Sequence, residues 1–169
     1  MNGKKIRNLT LAAMLTALTI IIPTVFTPLR FVIGPYTATL MAHVPVIIAM
    51  FISTPVAVFV AFCSGIGFFM CTPLIVAIRA LTHVFFAFAG ASMIKSKKFN
   101  IFIIIALTAL IHAFAEAAVV YAESIITTNS IGMLTNTIVT FVGTLAHHCV
   151  DFAIAFVGMK ALKKAKLID

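Results

Sequence analysis

Nine ionisable side chains lie inside long apolar stretches: His43, Arg79, His83, His112, Glu116, Glu123, His147, His148 and Asp151. Their spacing is helical. Arg79 and His83 are four residues apart, as are His112 and Glu116, and His147 and Asp151. Each such pair shares a helix face, and Glu116 and Glu123, seven apart, also share one. A guanidinium can grip a carboxylate with two parallel hydrogen bonds, and an imidazole can face a ring nitrogen or complete a hydrogen-bond network. A single ionisable group at the centre of a bilayer costs about 2.5–3.5 kcal/mol, so each one is a functional hypothesis. The alternative is an internal network, Arg79 with Glu116 or Glu123 and His147 with Asp151. A purely structural bundle is often more stable with apolar residues at such positions, which favours a ligand site for the set.

Other chemistries find no support. There is no His-Glu-x-x-His of a membrane zinc protease, no Gly-x-Ser-x-Gly and no Walker sequence. His43 with His83 or His147 has the donor types for an axial haem pair, yet nothing around them supports haem, and no cofactor is expected. Cys63, Cys71 and Cys149 lack metal spacing and read as small apolar packing residues.

The elements that position these groups follow from composition. The chain has 169 residues, 63% of them hydrophobic and 9% charged. Soluble domains hold roughly 25% charged residues, so a hydrated globule is excluded. Crossing a bilayer takes about 20 apolar residues per helix. Apolar runs and their breakers predict an all-α membrane protein, one domain over 1–169. Six transmembrane helices are expected at about 6–26, 38–53, 55–72, 74–94, 101–126 and 135–160. Pro55 and Pro73 mark tight turns, because a residue before proline avoids the helical region.

Of twelve basic residues, ten fall in three clusters: Lys4, Lys5 and Arg7; Lys95, Lys97 and Lys98; Lys160, Lys163, Lys164 and Lys166. With an even number of spans all three lie on one side. The positive-inside rule makes that side, with both termini, cytoplasmic. The net charge of +8 therefore points to loop placement rather than to nucleic acid. The outer loop 27–37 is apolar, holds Pro28, Gly34 and Pro35, and cannot continue a helix. It is either a lid over a pocket or a plug between helix ends.

Small residues four apart allow close backbone approach. They occur as Ala13 and Ala17, as Ala57, Ala61 and Gly65, and as Ala109, Ala113 and Ala117. Most such ladders pack internally, and one can dock a different membrane protein.

A basic N-terminus, six short spans, the Ala13-xxx-Ala17 face and the apolar outer loop together resemble the substrate-binding (S) components of energy-coupling factor transporters. The stretch 38–53, ATLMAHVPVIIAMFIS, and Ile78-Arg-Ala-Leu-Thr-His83 resemble the niacin-type members in particular. The resemblance covers nearly the whole chain. It implies a multi-pass protein of the cell membrane, with no enzymatic activity of its own, that binds one vitamin from outside. It also implies docking, through Ala13 and Ala17, on a membrane scaffold (T) subunit that carries two cytoplasmic ATPases. For nicotinate, Arg79 is the carboxylate anchor and His43, His83 or His147 faces the ring nitrogen. Glu116 and Glu123 line the cavity, and Phe31, Tyr36, Phe68 and Phe69 are wall candidates. Pantothenate satisfies the same cation, and a ligand-free assembly subunit is the alternative from a different class.

Overall fold

The computed structural model describes residues 3–33, 36–127 and 132–167. Gly34 and Pro35, in the outer loop expected as a lid or a plug, and 128–131, in the expected polar loop, lie outside the described residues. The protein is an all-α membrane protein. Its helices are α1 (Gly3–Val25), α2 (Val44–Met50), α3 (Thr54–Phe69), α4 (Leu74–Leu81), α5 (His83–Ser96), α6 (Ile101–Ile126) and α7 (Met133–Lys164). Among the described residues, α1, α4–α5 taken together, α6 and α7 are long and apolar enough to cross a membrane. At 1.5 Å per residue, the 16 residues of α3 span only about 24 Å.

Helix starts sit where the local chemistry puts them. Ser53 accepts the N–H of Val56 and Pro55 occupies the first turn of α3, where its missing N–H leaves nothing unsatisfied. Asn100 Oδ1 accepts the N–H of Ile103 at 2.9 Å to start α6.

The segment before α2 departs from expectation. The predicted second span over 38–53 contains only the seven-residue α2. The chain ahead of it forms an antiparallel hairpin, β1 (Arg30–Ile33) with β2 (Tyr36–Thr39), in the register Arg30↔Thr39 and Ile33↔Tyr36. Met41 then turns with φ +70°, a left-handed conformation that interrupts any helix before Pro45. All seven residues of α2 are buried, and it forms the centre of the bundle. Val46, Ile47 and Met50 pack with Val60 and Ala61 of α3, Phe86 of α5 and Phe152 of α7. Close approach there depends on Gly90, where a Cβ would collide with the Met50 sulfur.

The small-residue ladders sort into two kinds. Ala57, Ala61, Ala109, Ala113 and Ala117 are buried between helices. Ala13 and Ala17 are exposed on α1, beside the exposed Leu9, Met14, Leu18 and Ile21, while Leu11, Ala12 and Leu15 face inward.

Candidate functional site: a buried arginine, glutamate and histidine cluster

The break between α4 and α5 places the first two groups. Thr82 ends α4, its hydroxyl donating to the Arg79 carbonyl at 2.6 Å and its N–H to the same oxygen at 3.0 Å. Arg79 and His83 flank this break and are both buried.

Arg79 closes on Glu116 of α6. Its Nη2 donates to Glu116 Oε2 at 2.7 Å and its Nε to the same oxygen at 3.3 Å. Nη2 also reaches the Thr37 carbonyl at 3.5 Å. The guanidinium lies over the Tyr36 ring, 5.4 Å from its centroid, an attraction to the ring quadrupole. Thr144 of α7 donates to Glu116 Oε2 at 2.7 Å. The other carboxylate oxygen faces two imidazoles, with His112 Nε2 at 3.3 Å and His83 Nε2 at 3.6 Å. A buried carboxylate needs such a set of donors, because an unpaired charge away from water is strongly unfavourable.

The histidines form a second layer. His83 Nδ1 lies 3.3 Å from Ser64 Oγ. His112 Nδ1 meets His148 Nδ1 at 3.1 Å, and His148 Nε2 meets Thr108 Oγ1 at 3.1 Å. His43 stands between, its ring centroid 4.5 Å from that of His112, 4.6 Å from His83 and 4.8 Å from His147. Asp151 ties this layer to the hairpin side. It accepts the backbone N–H groups of Met41 and His43, each at 2.9 Å, and approaches His43 Nδ1 at 3.1 Å and His147 Nε2 at 3.0 Å.

Residues expected from the sequence separate as follows. His43, Arg79, His83, Glu116 and His147 converge, and Tyr36 covers them, buried between Arg79 and α7. Gly143 permits that approach, since a Cβ there would lie 2.7 Å from Tyr36 Cε1. Phe31 is partly exposed, with its ring 6.2 Å from Tyr36 and 5.8 Å from His147. Phe68 lines the cavity and Phe69 points outward. Glu123 does not join the cluster. It lies in a groove with Leu74, Ile78 and Val119 between α4 and α6. Seven residues place it on the face of Glu116 but about 10 Å further along the helix.

Thr144, Thr108 and Ser64 complete the network and were not singled out by type, since threonine and serine are common in membrane helices. Helical spacing already placed His112 beside Glu116 and Asp151 beside His147, whereas the contact of His148 with His112 and Thr108 comes only from packing.

The cavity bounded by Tyr36, His43, Phe68, Arg79, His83 and Glu116 measures about 20 Å³, room for about one water molecule. Arg79, paired with Glu116, lies beneath Tyr36 and Thr37 of the hairpin.

The chain is 38% identical to the niacin transporter NiaX of Lactococcus lactis subsp. cremoris (strain MG1363), over 98% of this chain and 78% of that protein. It belongs to the niacin-type S-component family. No family profile matches the sequence, and no solved structure matches it. In this S component the stretches 38–53 and 78–83 supply part of the cluster: His43 before α2, and Arg79 and His83 around the α4–α5 break. The exposed Ala13–Ala17 face lies on α1, apart from them.

Proposed function

We propose that the protein binds nicotinate as the S component of an energy-coupling factor importer. The observation that carries this is the pairing of a relative named a niacin transporter with a buried guanidinium, Arg79, at a closed cavity of aromatic and imidazole groups. Nicotinate offers one carboxylate, one flat ring and one ring nitrogen. Arg79 suits the first, Tyr36 and Phe68 the second, and a histidine of the cluster the third. The cavity must enlarge to admit it, and in this proposal the Arg79 side chain and the hairpin above it shift to make room. Arg79 Nη1 makes no hydrogen bond to the described residues, so the guanidinium can engage a ligand carboxylate without surrendering Glu116.

In this proposal six passes place both termini and the three lysine-rich clusters in the cytoplasm of the cell, and the cavity opens outward. The exposed Ala13–Ala17 face docks on a membrane T subunit, and ATP is hydrolysed by two partner ATPases rather than by this chain.

The test is ligand-dependent thermal stability of the purified protein. A ligand binding only the folded state stabilises it by RT ln(1 + [L]/Kd), about 2.7 kcal/mol at a hundredfold excess over Kd. Nicotinate is expected to raise the melting temperature more than nicotinamide or pantothenate. A larger rise with pantothenate overturns the assignment, and no rise with any vitamin overturns ligand binding itself.

A further inference from the structure

We propose that His43, His83, His112 and Glu116 form a binding site for a zinc-like divalent cation, and that its charge is what admits a carboxylate ligand to this cavity. The second half of this inference rests on the vitamin-binding proposal above; the first half does not.

The ligand set is assembled from the start of α2, from α5 and from α6. One ligand atom from each of the four buried residues lies within 4.8 Å of all the others. Around a zinc ion with bonds of about 2.0–2.2 Å, tetrahedral ligand atoms stand about 3.3–3.6 Å apart. Glu116 Oε1 lies 3.3 Å from His112 Nε2 and 3.6 Å from His83 Nε2. The His83 Nε2 atom is buried and makes no hydrogen bond to the described residues. Three imidazoles and one carboxylate suit zinc, cobalt or nickel better than magnesium or calcium, which prefer all-oxygen sites.

The outer partners have the arrangement of a metal site. A metal-bound histidine donates its other ring N–H to an acceptor that orients it. Here His83 Nδ1 meets Ser64 and His112 Nδ1 meets His148, while His43 Nδ1 lies 3.1 Å from Asp151 Oδ2. The Nε2 atoms of His83 and His112 both face Glu116 Oε1. The cavity that His43, His83 and Glu116 line has a volume of about 20 Å³, enough for one small cation or water and no more.

Charge gives the cation a role. The cluster holds one guanidinium, Arg79 on Glu116, and a second carboxylate, Asp151, beside His43 and His147. With the imidazoles counted as neutral, the site carries a single negative charge, which repels a carboxylate. A divalent cation reverses that to a single positive charge, and a monoanion then neutralises it. Cation and monoanion therefore bind cooperatively, and by linkage each strengthens the other by the same factor.

The experiment uses full-length protein without a polyhistidine tag, carrying Cys149→Ser to remove the exposed thiol. Zn²⁺ is titrated first with no vitamin present, and Co²⁺ bound to the same protein is read by its visible spectrum. Saturable binding of one Zn²⁺ per chain is expected, weakened at least about tenfold by His83→Gln or His112→Gln. The Co²⁺ complex, which needs no substitution in the cluster, should show the intense visible bands of four-coordinate nitrogen and oxygen ligation. Absence of saturable Zn²⁺ binding, binding unchanged in correctly folded His→Gln proteins, or the weak bands of hydrated Co²⁺ each overturn the site. Nicotinate is then titrated with Zn²⁺ and with chelator. Zn²⁺ should tighten nicotinate by about fivefold or more and nicotinamide by less. Equal nicotinate affinity in both conditions overturns the coupling. No nicotinate binding in either condition overturns the vitamin assignment, leaving the metal site to the Zn²⁺ and Co²⁺ results.

Discussion

Asp151 holds His43 at two points, accepting its backbone N–H at 2.9 Å and lying 3.1 Å from its ring Nδ1. The other carboxylate oxygen accepts the N–H of Met41 at 2.9 Å. One side chain of α7 thus fixes the turn that enters α2, supports the left-handed Met41 and orients the His43 ring. Hydrogen bonds to a charged partner contribute about 1.5–3 kcal/mol. Asp151→Asn keeps the shape but puts an amide where only an acceptor fits. Thermal unfolding without ligand is expected to show a loss of about 2 kcal/mol or more, and an unchanged melting curve contradicts this role.

Arg79 and Glu116 are a buried pair, 2.7 Å apart, so Arg79→Ala strands a carboxylate. A loss of about 3–5 kcal/mol is expected, with much of it recovered when Glu116→Gln is added. In that restored background the missing guanidinium should still weaken nicotinate tenfold or more while affecting nicotinamide less. Equal losses for the acid and the amide, measured by calorimetry, reduce Arg79 to a structural partner.

Ala13 and Ala17 point away from the bundle. Ala13→Leu or Ala17→Leu is expected to leave melting temperature and nicotinate binding unchanged and to abolish cellular uptake, because a close helix–helix contact tolerates no added volume. Loss of binding together with uptake places the face inside the folding unit instead.

Gly143 lies against the Tyr36 ring. In Gly143→Ala the new methyl must push the ring, at about 1–3 kcal/mol for an overpacked contact. Because Tyr36 roofs Arg79, nicotinate affinity should fall as well. Adding Tyr36→Ala removes the clash, so the double variant should be no less stable than Tyr36→Ala alone. Additive losses of stability in the double variant refute the contact.

Val32 is exposed on β1 and suits a nitroxide label on Val32→Cys in a protein whose native cysteines are replaced. The hairpin residues Tyr36 to Thr39 line the cavity, and the lid reading predicts that they respond to ligand. Nicotinate should narrow the mobility of the label once bound. A spectrum insensitive to saturating nicotinate makes the hairpin a fixed plug.

Local features were legible in the residues. An excess of apolar side chains made this a membrane protein, prolines at 55 and 73 marked the helix boundaries they now occupy, and four-residue spacing placed His147 beside Asp151 and His112 beside Glu116. Those relations depend on composition and on a repeat of 3.6 residues per turn, and both are local. Tertiary structure decided the rest. Strand pairing of 30–33 with 36–39 diverted the chain from a second long helix, because a hairpin and its left-handed turn satisfy the backbone before α2 begins. Packing turned two alanine ladders inward and left Ala13 and Ala17 outside. It also chose Glu116 over Glu123 as the partner of Arg79: both glutamates share a helix face, but only the one at the depth of the α4–α5 break comes within hydrogen-bond reach. Periodicity specifies the direction a side chain takes around its helix, while the depth at which helices meet comes from the packing of the whole bundle.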